Sequence, residues 1–119
     1  MKQFVPALKG GYLQSSTSDG RLIGPFNPLL YSPEMSSASL DFQLAEAKST
    51  SLDARVRQVV ILAVGAVWKA PYEIDAHAAV ARKLGFSEED ISKLSGQSPE
   101  SLSGAERIAQ QYASQGRSQ

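Results

Sequence analysis

Residues 53–69 read DARVRQVVILAVGAVWK, the most apolar stretch of the chain. Drawn as a helix, this stretch carries apolar side chains around nearly its whole circumference, which is typical of a helix that the fold buries. Thr50, followed three residues later by Asp53, resembles a capping box, so we expect a helix from there to about Lys69. The apolar run is too short to cross a bilayer. We therefore predict that this helix is the central strut of the fold or of an oligomer.

A second helix is predicted before this segment, with Ser32 as its N-cap and Pro33 in its first turn. It runs to about Lys48. Its expected core face consists of four apolar side chains: Met35, Leu40, Phe42 and Leu44.

Three further helices are predicted after the apolar segment. Pro71 begins the first of them, and Gly85 ends it as a left-handed cap. The other two begin with the capping-box pairs Ser87 with Asp90 and Ser103 with Glu106. No stretch shows the clean alternation of a strand, and there is no internal repeat. The predicted fold class is all-α.

Residues 1–31 are predicted to form an irregular N-terminal arm, and residues 32–119 a helical domain. Glycine, proline and serine are dense between residues 9 and 33, and regular elements do not tolerate that density. The second half of the arm, from Leu22 to Tyr31, is nevertheless too apolar for a free tail. We expect it to pack on the body or on another subunit.

Composition excludes several classes of function. The chain has 119 residues, of which 42% are hydrophobic, and its twelve basic residues balance twelve acidic ones. Without a basic block, a nucleic-acid partner is not expected. The N-terminus lacks the long apolar region of a secretory signal, and cysteine is absent, which excludes disulfides, thiolate metal sites and thiol redox chemistry. We expect a soluble cytoplasmic protein without a membrane segment.

Residues 70–77, APYEIDAH, contain the only histidine of the chain. Histidine is the side chain that exchanges protons near neutral pH. On a helix, Glu73 and His77 lie one turn apart on one face, so the carboxylate is predicted to orient the ring or raise its pKa. Two other interpretations stay open: Glu73 and Asp75 as acids that stabilise a helix start, and His77 as a histidine satisfied within the core.

Other side chains near this pair are candidates for binding a substrate. Arg55 and Arg57 lie in a first helical turn, where a cation opposes the helix dipole, so each should face an anion from a substrate or, more simply, from a neighbouring subunit. Trp68 and Tyr72 are candidates for a pocket mouth, although packing is the simpler explanation of both. Glu73, Asp75 and His77 would supply at most three metal ligands, with Asp75 pointing away, so no metal is predicted.

Four segments together resemble the carboxymuconolactone decarboxylase-like family, whose redox branch contains the alkylhydroperoxidase D-like proteins. They are GPFNP at 24–28, RVRQVVILAV at 55–64, YEIDAH at 72–77 and ARKLGFS at 81–87. The resemblance implies an alkylhydroperoxidase D-like helical bundle that assembles as a dimer, trimer or hexamer, and we expect a homo-oligomer, most simply a trimer or hexamer.

This sequence departs from the redox branch of that family. The two cysteines of the branch correspond to Ala70 and Glu73, and the glutamate of its proton relay corresponds to Gln58. Because an amide cannot exchange a proton near neutral pH, the relay is interrupted as well. Thiol-dependent peroxidase activity is therefore excluded.

Two hypotheses of function remain. In the first, suggested by cysteine-free members of the family, His77 and Glu73 are catalytic residues that move a proton on a small carboxylated or lactone substrate, without a cofactor. Its candidate substrate-binding residues are Arg55, Arg57, Gln58, Trp68 and Tyr72. The reaction would be that of a decarboxylase or an isomerase. In the second, the chain is a catalytically silent helical oligomer that keeps only the scaffold.

Overall fold

A computed structural model describes residues 17–94 and 98–117. It divides into two compact units, the first ending at Ser51 and the second beginning at Leu52. The first unit contains helix α1 (Pro33–Ser49); the second contains α2 (Ala54–Val67), α3 (Pro71–Lys83), α4 (Glu88–Lys93) and α5 (Gly104–Ser114). No strand element occurs in the described ranges, so the all-α prediction is confirmed. The predicted domain boundary between residues 31 and 32 stays a prediction.

The described part of the N-terminal arm contains two short 3₁₀ helices, Gly24–Phe26 and Pro28–Tyr31. Phe26 is buried, whereas Tyr31 is 89% exposed. The second 3₁₀ helix packs on α1, where the Ser36 hydroxyl shares its one proton between the carbonyl oxygens of Leu29 and Ser32. The arm therefore has local helical turns that its glycines and prolines did not lead us to expect.

The buried face of α1 differs from the predicted one. Leu40 is buried as expected, but Met35 and Phe42 are each 73% exposed and Leu44 is also exposed. Ser36 is buried instead, one helical turn before Leu40. Because residues four apart share a helix face, the line through positions 36 and 40 leaves Met35 and Phe42 on other sides. The prediction ranked residues by hydropathy alone and missed a polar residue whose hydroxyl is satisfied by backbone carbonyls.

Helix α2 is the centre of the second unit, as predicted, because both α3 and α5 pack against it. Side chains from α2, α3 and the segments that follow form one core: Val59, Leu62, Ala78, Ala81, Phe86, Leu94 and Leu102. The burial of α2 is not complete, since Val64 is 40% and Trp68 71% exposed. Within a single chain, α2 is therefore not buried all round, and its burial at the centre of an oligomer stays a prediction.

The N-cap of α2 is Asp53, and not Thr50 as the capping-box pattern predicted. The Asp53 carboxylate accepts a hydrogen bond from the backbone N–H of Arg55 at 2.9 Å. Thr50 instead lies at the C-terminal end of α1, where its backbone N–H donates to the Glu46 carbonyl. The other predicted starts are confirmed: Pro71 begins α3, and Ser87 and Ser103 each form a reciprocal capping box. Across the described residues, no helix combines the length and the apolar character that a membrane span requires.

Candidate functional site

A tight turn between α2 and α3 folds the two helices against each other. Lys69 has a φ of +52°, and the Ala70 N–H donates to the Gly65 carbonyl at 2.9 Å. Gly65 also lets the helices approach closely, because a Cβ atom there would lie 3.3 Å from Cγ1 of Ile74. Pro71 then restarts the helix with its φ already set. This hairpin brings Gln58 on α2 opposite His77 on α3.

His77 contacts polar side chains through both ring nitrogens. Its Nδ1 lies 2.8 Å from Oε1 of Gln58, and its Nε2 lies 3.5 Å from Oε2 of Glu73. The His77 side chain is 14% exposed, whereas that of Glu73 is 45% exposed. Gln58 is buried. The structure thus brings together three of the residues that the sequence singled out, with the imidazole between an amide and a carboxylate.

The pKa of His77 is lowered from its ordinary value, which corrects the expectation that Glu73 raises it. Burial of the ring is the largest cause, because it disfavours the charged form. The negative charge of Glu73 does raise the pKa, but its effect is smaller, and the positive charge of Arg57 lowers the pKa further. The neutral ring is therefore favoured near neutral pH.

The two aromatic candidates have different environments. The hydroxyl of Tyr72 is buried and has no hydrogen-bond partner among the described residues. Burial raises the pKa of Tyr72, and the neighbouring charge of Glu73 raises it further. Trp68, at the C-terminal end of α2, is 71% exposed. Tyr72 therefore combines a packed ring with a polar atom that lacks a partner, whereas Trp68 is largely in solvent.

Arg55 participates in a second polar cluster. Its Nε donates to Oε1 of Glu106 at 2.8 Å, and its Nη1 donates to the Leu84 carbonyl at 2.9 Å. The guanidinium carbon lies 3.9 Å from the centroid of the Phe86 ring, in cation–π geometry. The compensating anion thus comes from α5 of the same chain, which corrects the expectation of a neighbouring subunit. These contacts join α2 to α5 and to the end of α3.

Glu106 bonds to both Ser103 and Arg55, and the sequence revealed only the first of these partners. Burial raises the pKa of Glu106, but hydrogen bonds from Ser103 and Arg55 outweigh it, and the net pKa is lowered. Its Oε2 accepts from the Ser103 N–H at 2.8 Å. The capping-box pattern did identify that bond. No local pattern could identify the bond to Arg55, since the two residues are 51 positions apart.

The remaining candidates are Asp75, considered as a metal ligand, and Arg57, considered for its charge. Asp75 is exposed on α3, away from the pair formed by Glu73 and His77. Among residues 17–94 and 98–117, no three histidine, aspartate or glutamate side chains are grouped as metal ligands would be. Arg57 is partly buried, and its charge acts on the His77 ring. The chemistry that this arrangement offers is the gain and loss of a proton at an imidazole.

Comparison with known proteins supports the family and the all-α fold. Searches of curated proteins and of solved structures each gave no match. A family model matches residues 33–113, which is more than half of the chain and includes Gln58, Glu73 and His77. The protein therefore belongs to the carboxymuconolactone decarboxylase family.

Proposed function

We propose that this protein is an enzyme that moves a proton on a small carboxylated or lactone substrate, with His77 as the proton carrier and Glu73 beside it. The observation that carries the proposal is the position of the His77 ring, largely buried between Gln58 and Glu73. An imidazole that is neutral near pH 7 accepts a proton readily, and a nearby carboxylate stabilises the imidazolium that results.

The chemistry balances within the site. The neutral ring takes a proton from a carbon next to the substrate carbonyl, so that an N–H bond forms and the C–H electron pair enters an enolate. The imidazolium then returns the proton to the same or another carbon. Return to another carbon is an isomerisation, and it needs no oxidant, reductant or metal. A decarboxylase would instead need His77 protonated at the outset, because the leaving carbon dioxide creates a carbanion that must receive a proton.

Arg57 is the best candidate for an anion-binding side chain, since its positive charge acts on the His77 ring. Arg55 is less suited to that task, because its guanidinium already contacts Glu106, Leu84 and Phe86. We assign this activity to the cytoplasm, which the cysteine-free composition favours.

Hydrogen exchange in D₂O tests this function without knowledge of the product. A panel of five-membered unsaturated lactones bearing a carboxylate is incubated with the protein, and loss of the carbon-bound hydrogen next to the carbonyl is followed by ¹H NMR. We expect exchange to be faster with the wild type than with His77→Gln by about 100-fold or more, the usual contribution of a general base.

Two further variants make this experiment specific. Glu73→Gln should slow exchange by a smaller factor, because it removes the charge that stabilises the imidazolium. Asp75→Asn is the matched control, since Asp75 is exposed on the same helix and should exchange at the wild-type rate. Equal rates for the wild type and His77→Gln on every lactone that binds would refute the assignment of His77.

We also propose that the chain forms a homo-oligomer, a trimer or a hexamer; the family resemblance implies assembly as a dimer, a trimer or a hexamer. Support comes from α5, which exposes Ile108 and Tyr112, four residues apart on one face, by 70% and 82%. The same helix buries Glu106 and Gln110. Large exposed apolar side chains on one helix face are typical of a surface that another subunit covers. This feature is also what a silent scaffold protein would keep.

Light scattering coupled to gel filtration tests this assembly. We expect a mass of three or six chains at micromolar concentration, and a smaller species for Ile108→Asp. Lys83→Asp, at an exposed polar position on α3, is the control and should leave the mass unchanged. A mass near 12.8 kDa for the wild type would show that the chain is a monomer.

A further inference from the structure

We propose that Gln58 is a positioning residue that holds neutral His77 in the tautomer with its proton on Nδ1, which makes Nε2, the nitrogen facing Glu73, the basic atom of the site. This inference rests on the proposed function for its catalytic meaning. The assignment of the proton itself rests on the geometry around the ring.

The two contacts of the ring differ in length. The Nδ1 to Gln58 Oε1 distance of 2.8 Å is that of a good N–H···O hydrogen bond, in which the amide oxygen can only accept. The Nε2 to Glu73 Oε2 distance of 3.5 Å is much longer than the roughly 2.8 Å expected when a charged pair shares a proton. The neutral ring has a single N–H, and the shorter of the two contacts places that proton on Nδ1.

Burial makes this arrangement effective. Gln58 is only 6% exposed, so its amide has few alternatives to the imidazole, whereas Glu73 is 45% exposed and can be solvated. Losing the bond to Gln58 would leave a buried donor unsatisfied, while losing the contact to Glu73 would cost little. Both the cost of losing each contact and the two contact distances favour the tautomer with its proton on Nδ1.

A consequence for the ligand follows from this tautomer. Nε2 and the Glu73 carboxylate are then two hydrogen-bond acceptors 3.5 Å apart with no proton between them. The group that completes this pair is a proton donor, which is what a lactone with an acidic C–H, or its enol with an O–H, presents. The site therefore selects substrates that give up a proton first, and it favours isomerisation over a decarboxylation that starts from imidazolium.

The tautomer is measured directly by long-range ¹H–¹⁵N NMR of the ring, without any substrate. Above the pKa of His77, the wild type should show Nδ1 protonated and Nε2 unprotonated. In Gln58→Leu, Glu73 is the one side-chain acceptor left at the ring among the described residues, so the major form should switch to the one protonated on Nε2. In Gln58→Glu the new carboxylate accepts from Nδ1, so the tautomer is kept and the His77 pKa rises by about one unit or more.

A matched control separates positioning from the loss of a buried amide. Gln110, on α5, is also buried and lies outside the His77 cluster. Its side chain bonds to the hydroxyls of Ser98 and Ser114. Gln110→Leu should therefore keep the wild-type tautomer. Should Gln58→Leu fail to fold, the wild type and Gln58→Glu still decide the proposal.

A wild-type ring protonated on Nε2 would overturn the proposal, because Gln58 would then present its NH₂ group to Nδ1. An unchanged tautomer in folded Gln58→Leu would also overturn it. The Nδ1–H tautomer together with no hydrogen exchange on any lactone would refute only the proposed function. Hydrogen exchange with the opposite tautomer would refute only the role of Gln58.

Discussion

Two polar clusters lie on the same helix, α2, one turn apart, and they differ in how completely their polar groups are satisfied. In the Arg55 cluster, the guanidinium bonds to Glu106 and to a backbone carbonyl, and Glu106 also accepts from Ser103. In the His77 cluster, one ring nitrogen is bonded to Gln58 while the other faces Glu73 at a long distance. Polar groups that bond to one another inside the protein hold helices together, whereas a loosely paired imidazole and carboxylate can still bind a ligand.

This difference changes the interpretation of the arginines. Both Arg55 and Arg57 were candidates for binding an anionic substrate, because both lie in the first turn of α2. The structure gives Arg55 a protein carboxylate as its anion, and Arg57 is the one whose charge acts on His77. Substrate recognition by Arg57 remains a proposal, while the contacts of Arg55 account for its charge.

The largest effect that this comparison predicts is on stability. Arg55→Ala leaves the buried Glu106 carboxylate without its cation and the Leu84 carbonyl without its donor. Breaking a buried ion pair costs about 3 kcal/mol or more, and since the Arg55 side chain is 34% exposed we expect about 3 kcal/mol. Urea denaturation of the wild type and the variant measures this loss.

Arg82→Ala is the matched control for that experiment. Arg82 also pairs with a glutamate, Glu88, but the two side chains are 49% and 71% exposed. Exposed pairs contribute little, because water screens the two charges and holding two long side chains together costs entropy. Equal losses for Arg55→Ala and Arg82→Ala would contradict the conclusion that the Arg55 cluster holds α2, α3 and α5 together.

The sequence predicted the helices well because their start signals are local. Pro33, Pro71 and the boxes at Ser87 and Ser103 each depend on residues within one turn. Thr50 was misassigned because Asp53 competes with it and lies closer to the first free N–H groups of α2. The face of α1 was misassigned because hydropathy does not show that the hydroxyl of Ser36 is satisfied when buried.

The sequence predicted which residues form the site, but it did not predict the direction in which the His77 pKa is shifted. The i, i+4 spacing identified Glu73 and His77, and the structure places them side by side. The direction of the His77 pKa depends on how deeply the ring is buried and on a charge from another helix, and neither is a property of the local sequence. The contact with Gln58 likewise depends on the close approach that Gly65 allows between α2 and α3.

The smaller predicted effect is the pH dependence of stability, which comes from the less satisfied cluster. Since the folded-state pKa of His77 is below its ordinary value of 6.5, the unfolded chain takes up the proton first as the pH falls. The contribution of the neutral buried ring is complete above about pH 6.5 and is lost as the pH falls through the window down to the folded-state pKa. This effect should rank below that of Arg55→Ala, because a protonated His77 ring still faces the Glu73 carboxylate, whereas Arg55→Ala leaves the buried Glu106 carboxylate without its cation.

Two variants separate the contributions to this pH dependence. Glu73→Gln removes the charge that raises the His77 pKa, so the NMR titration midpoint of the ring should move lower and the window should widen. His77→Gln should abolish the slope of unfolding free energy against pH in this window. The slope from Glu106 should persist in both, because its pKa is lowered from 4.5 and its stabilisation is lost only at more acidic pH. Identical His77 midpoints in the wild type and Glu73→Gln would show that the carboxylate does not act on the ring, and the site would then consist of His77 and Gln58 alone.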